Sequence, residues 1–292
     1  MLTAIPGLVL DGVAYGMLLF VLACGLSVTL GLMNFVNLAH GAFAMAGGYL
    51  VVALTMRLDM PFPWALPVAF VAIGLLGMLA YVLVYRHIIR RSHLDQVLFS
   101  IGVVFMSIAA MDWFMGSQQQ FARLPAWLQG RVEFGARGEW GLGAYRLFII
   151  ALCGVIALLL QWALAKTRFG SRLRAAVDDP PVASGLGINV DRVFLITFGV
   201  GSGLAGLGGA LGTEILGLEP TFPLKFMIYF LVVVAVGGTS SITGPLLASL
   251  LLGIADVVGK YYVPNLGAFI IYSLMIAILM VRPQGLFARG AS

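Results

Sequence analysis

Asn34, Asn37 and His40 stand at intervals of three just before a long apolar run. On a helix start that spacing puts three polar side chains on one side. Polar groups in an apolar surround are costly, so they either bond to neighbouring helices or line a wet path for a solute. Both readings stay open for these residues and for Gly41 beside them. His40 has no second His, Cys or carboxylate at ligand spacing, which argues against a metal site. A second candidate is the break Gly237-Gly238-Thr239-Ser240-Ser241, followed by a helix starting near Thr243-Gly244-Pro245. A helix N-terminus there offers free N–H groups and partial positive charge suited to a carboxylate. The competing reading is a tight turn whose glycines let helices approach. Asn34, Asn37, His40, Gly41, Gly237, Gly238, Thr239, Ser240 and Gly244 together form the candidate solute path.

Asp11, Asp112, Glu214 and Asp256 fall near span ends, either as solvated carboxylates or as an acidic mouth that favours an ammonium group. No nucleophile–His–acid arrangement is present, and no Gly-rich phosphate loop ending in Lys-Ser/Thr occurs. Catalysis and ATP binding by this chain are therefore not expected. Cys24 and Cys153 both lie in apolar runs and read as small core residues.

The elements that position these residues follow from composition. The chain has 292 residues, 61% of them hydrophobic and 10% charged, against roughly 25% charged in soluble domains. Between Asp11 and Arg57 lie 45 residues without a charge. This excludes a water-soluble enzyme or a nucleic-acid binder and leaves an integral membrane protein in a lipid bilayer. The expected fold is all-α, a single polytopic transmembrane bundle over residues 1–292. It has about eight to nine membrane segments, some broken or re-entrant. Spans fall roughly at 5–30, 34–56, 64–86, 95–115, 144–165, 190–215 and 266–281. Two stretches, about 225–237 and 243–259, are too brief for comfortable crossings. The first apolar run lacks a basic leader and reads as a retained helix.

Ten of the seventeen Lys and Arg cluster beside a few span ends, densest between the fifth and sixth spans. By the positive-inside rule this places the N-terminus outside and the C-terminus in the cytoplasm. Residues 116–143 are then an extracytoplasmic loop, a small cap or docking surface or else a connector. Residues 166–192 are cytoplasmic. In that inner loop Asp178 or Asp179 can cap a helix of about two turns opening on Pro180 and Pro181, and Gly187 can end it with a left-handed turn. Small residues at Ala183 and Ser184 would let it seat in a partner's cleft.

The inner loop is similar to the coupling loop of ABC-importer permeases, and the chain resembles branched-chain amino acid permeases of the LivH type. The resemblance rests on Arg174-Ala175, Asp179, Ala183-Ser184, Leu186-Gly187-Ile188-Asn189 and Asp191-Arg192-Val193, on the run Gly31 to Phe43, and on Gly237 to Pro245. It covers most of the chain and is weakest over 116–143. It implies a permease subunit moving small amino-acid-like substrates across a bacterial inner membrane by alternating access. The implied partners are cytoplasmic ATP-binding subunits that hold ATP and magnesium, a second related permease and an extracytoplasmic binding protein. The implied ATPase-coupling residues are Arg172, Arg174, Ala175, Ala176, Asp178, Asp179, Ala183, Ser184, Gly187 and Ile188. The alternative is a stand-alone secondary transporter or channel for a small polar solute.

Overall fold

In a computed structural model the described residues are 5–33, 35, 37–89, 91–134, 140–238, 242–282 and 285–286. Apolar runs with little charge close their own backbone hydrogen bonds as helices, the form that an apolar solvent demands. The first are α1 (Ile5–Met33), α2 (His40–Arg57) and α3 (Phe62–Ala80). α3 continues through a π-helical turn, Tyr81–Tyr85, into α4 (Arg86–Ile88). α5 (His93–Met115) is capped by Ser92, whose hydroxyl accepts from the Asp95 amide at 3.2 Å. A single turn, α6 (Ala126–Gln129), precedes α7 (Ala144–Lys166), and α8 (Arg168–Asp178) and α9 (Pro180–Gly185) follow. The chain then forms α10 (Val190–Gly212), α11 (Phe222–Gly237), α12 (Thr243–Tyr262) and α13 (Gly267–Val281).

Six helices among the described residues, those at Ile5–Leu30, Phe62–Ile88, His93–Met115, Ala144–Lys166, Val190–Gly212 and Thr243–Tyr262, are long and apolar enough to cross a membrane. The stretch expected at 243–259 is corrected: α12 has 20 residues and reaches Tyr262. In its last turns Lys260 pairs with Asp256 one turn back at 2.6 Å. The stretch before it is short, with 16 residues in α11.

α10 is the axis of the bundle, packed by α1, α2 and α3. Its glycines make this possible, because between them they face all three neighbours. A side chain at Gly203 would come within 2.7 Å of the Phe70 carbonyl in α3. One at Gly208 would reach Leu22 of α1 at 2.9 Å, and one at Gly209 would overlap the backbone at Ala44 of α2. α1 and α12 meet by the same device, with Gly16 held against Ser249 and Leu250. Glycine in this bundle therefore serves close helix contacts. α5 and α7 lie outside this core: only 11% and 17% of their apolar windows are buried, against 83% for α1.

Part of the 116–143 loop is folded. Strands β1 (Arg131–Phe134) and β2 (Trp140–Gly143) pair antiparallel, Arg131 opposite Gly143. Gln120 pairs with Leu218 in the turn after α10, and Arg123 bridges to Asp59 at 2.8 Å.

Candidate functional site

α2 begins at His40, not at residue 34, because α1 runs on to Met33 and the chain must turn before it can re-enter. Asn37 lies in that turn, so Asn37 and His40 do not share a helix face as their spacing predicted. Asn34 lies outside the described residues. The His40 ring is buried and its Nε2 lies 2.9 Å from the Leu22 carbonyl of α1. A carbonyl only accepts, so Nε2 carries the proton and donates. The ring also meets Phe230 of α11 edge-on, centroids 6.4 Å apart. Asn37 is buried, and its Oδ1 has no partner among the described residues. At Gly41 a side chain would stand 2.9 Å from the Pro223 Cα at the start of α11, so only glycine lets these segments touch.

α11 ends at the second break. Gly238 adopts φ +81° and donates its N–H to Val234 at 2.9 Å, closing the helix. Gly237 packs on the backbone of Gly244 and Pro245. Thr239 and Ser240 lie outside the described residues. Leu286 donates its N–H to the Val236 carbonyl at 2.8 Å, so this residue lies over the end of α11.

The four carboxylates separate. Asp11 and Asp256 come together in a cavity of about 310 Å³, whereas Asp112 and Glu214 do not line it. Partial burial raises the Glu214 carboxyl above its usual range. The cavity lies where α1 and α7 begin and α12 finishes, with Lys225 and Tyr229 of α11 on its wall. Asp11 pairs with Arg146 of α7, Asp256 with Lys260, and Lys225 with Glu219 at 3.2 Å. Sequence reasoning named the two acids but missed their cationic partners. Asp256 and Lys260 at i and i+4 carried a readable signal; Arg146 lies far along the chain from Asp11 and carried none. α11 thus meets the His40 turn through Pro223 and Phe230, lines this cavity with Lys225, Phe226 and Tyr229, and ends at the glycine break.

The 166–192 loop holds two helices where the spacing predicted one. α8 has Leu173 and Ala176 buried against Val193, Ala175 half-buried, and Arg172 and Arg174 exposed. Arg174 donates to the Leu164 carbonyl. It is Asp179 that caps α9: its Oδ1 accepts from the Val182 amide at 3.0 Å, while Asp178 ends α8. The exit follows the Schellman pattern, with Gly187 at φ +83° donating to Ser184 and Ile188 donating to Ala183, both at 3.0 Å. Ala183 is corrected: it is 2% exposed and faces inward, so only Ser184 of that pair is open to a partner. The open apolar side chains are Val182 and Leu186, four apart on one face and 56% and 76% exposed. Their spacing was readable, but the outward side of so short a helix was not.

Among the described residues no group of three or more His, Cys, Asp or Glu gathers as a metal site would require.

Comparison with known proteins gives a consistent picture. The family model of the branched-chain amino acid transport system permease component matches residues 8–279. The probable branched-chain amino acid transport permease LivH of Methanocaldococcus jannaschii is 27% identical, over 96% of this chain and 91% of its own. The high-affinity branched-chain amino acid permease LivH of Salmonella typhimurium and BraD of Pseudomonas aeruginosa are each 25% identical, over 96% of this chain and 94% of theirs. No solved structure matches the chain. With the match running through α1, α10, α12 and the α8–α9 loop alike, the chain is a multi-pass membrane protein and a transporter subunit, and it belongs to the branched-chain amino acid ABC-permease family.

Proposed function

We propose that this chain carries branched-chain or other hydrophobic amino acids inward across the cytoplasmic membrane, with its N-terminus outside and its C-terminus inside. An extracytoplasmic binding protein delivers the substrate, a second related permease completes the path, and ATP-binding subunits holding ATP and magnesium drive it. The observation that carries this reading is the α8–α9 loop. Its α9 is a short helix capped at both ends, with Val182 and Leu186 bare, on the most basic segment of a family member. A rigid knob of this kind transmits a push into the bundle. Arg172, Arg174, Asp178, Asp179 and Ser184 supply its exposed polar rim, and Ala175, Ala176, Ala183 and Ile188 seat it on the membrane helices.

Uptake in proteoliposomes holding all the subunits tests this. Leucine accumulation should require ATP inside and binding protein outside. Gly187→Trp should abolish uptake while the subunit still inserts. Uptake driven by an ion gradient without ATP or partners would instead favour a stand-alone transporter.

A further inference from the structure

We propose that the cavity between α1, α7, α11 and α12 is a binding site for the zwitterionic head of an α-amino acid, with Asp256 receiving the ammonium and Lys225 the carboxylate. This rests on the reading of the chain as an amino-acid permease. The cavity of about 310 Å³ is at the lower end of the roughly 300–1,000 Å³ typical of small-molecule sites.

Its charges are arranged by depth. The Asp256 side chain is 3% exposed, while those of Lys225 and Lys260 are 53% and 49% exposed. One carboxylate oxygen of Asp256, Oδ2, takes the Lys260 ammonium at 2.6 Å; the other, Oδ1, is buried and has no partner among the described residues. A buried carboxylate oxygen left without a donor is unstable unless something supplies one. An arriving ammonium does so, and it brings a charge that a neutral hydroxyl lacks. Each lysine ammonium has three donors and spends one here, on Glu219 or on Asp256. The remaining donors point to a carboxylate. Ile215, Leu216, Phe226 and Val257, with the rings of Tyr15 and Tyr229, complete the wall and suit an apolar side chain. Two acids and three bases line the cavity, with Glu219 paired to the third base from outside. That balance suits a zwitterion better than a net anion or cation.

The test uses the complete transporter in nanodiscs without ATP, and radiolabelled L-leucine as the probe. Competitors are 4-methylpentanoate, which lacks the ammonium, and 3-methylbutylamine, which lacks the carboxylate. In the wild type both should compete at least about tenfold less well than leucine itself. Asp256→Asn should weaken leucine about tenfold and erase its advantage over 4-methylpentanoate. Lys225→Met, on the rim, should instead erase the advantage over 3-methylbutylamine, and it carries the test if Asp256→Asn fails to assemble. Unchanged competition patterns in the variants would overturn the assignment. So would a wild-type complex with no saturable leucine binding. A complex that binds leucine in this pattern but shows no ATP-driven uptake would sink the importer reading and leave the site standing.

Discussion

His40 spends its one donor on the Leu22 carbonyl, joining α2 to α1 where both are buried. His40→Ala removes that bond and the ring's contact with Phe230, so it should cost about 2–4 kcal/mol, read as a lowered melting temperature in detergent. A glutamine there keeps a donor and should recover part of the loss. Gly187 answers to a different constraint. No atom lies within 4 Å of where its side chain would be, but its φ of +83° is one that other residues adopt at a cost. Gly187→Ala should therefore destabilise the α9 exit by about 1–2 kcal/mol and Gly187→Asn by less. Hydrogen exchange checks this directly: the amides of Gly187 and Ile188, which close the exit, should exchange faster in the alanine variant.

At the scale of elements, substitution of glycine should have opposite signs at two places. Gly47 of α2 lies against the backbone of Gly206 in α10, and a methyl group there would overlap it. Gly47→Ala should force the two helices apart at a cost of about 1–3 kcal/mol. Gly102 of α5 has nothing within 4 Å, so Gly102→Ala should stabilise the helix by about 0.5–1 kcal/mol. Thermal unfolding of the two variants side by side decides the matter. α8 shows where reading from sequence stopped. Its Phe169, Leu173, Ala176 and Val177 fall at helical spacing, a readable signal that was passed over because the basic residues between them read as a topology marker. Its buried Leu173 and Ala176 became meaningful only once Val193 was seen beneath them.

For the whole molecule, membrane residence and the placing of most spans were legible, because 45 consecutive uncharged residues permit little else. The capping of α9 was legible too, since Asp, two prolines and a downstream glycine act within one short segment. The cavity was not, for it takes Asp11 from α1 and Arg146 from α7, and nothing local ties them. The division into a buried core and a bare rim was equally hidden, since α5 and α7 are as apolar as α1. That division predicts where lipid or the proposed second permease lies. Trp162 of α7 is 60% exposed, and in a single-tryptophan variant brominated lipid should quench it strongly in the isolated subunit. Protection on assembly would place the second permease against α7; unchanged quenching would leave α7 to lipid. The glycines of α10 carry one more consequence. Every single-base change in a glycine codon that substitutes another residue adds a β-carbon, and at Gly203, Gly206, Gly208 and Gly209 that carbon meets three different helices. Such a helix cannot drift one position at a time, so variety within this design should accumulate on the rim while the axis stays nearly fixed.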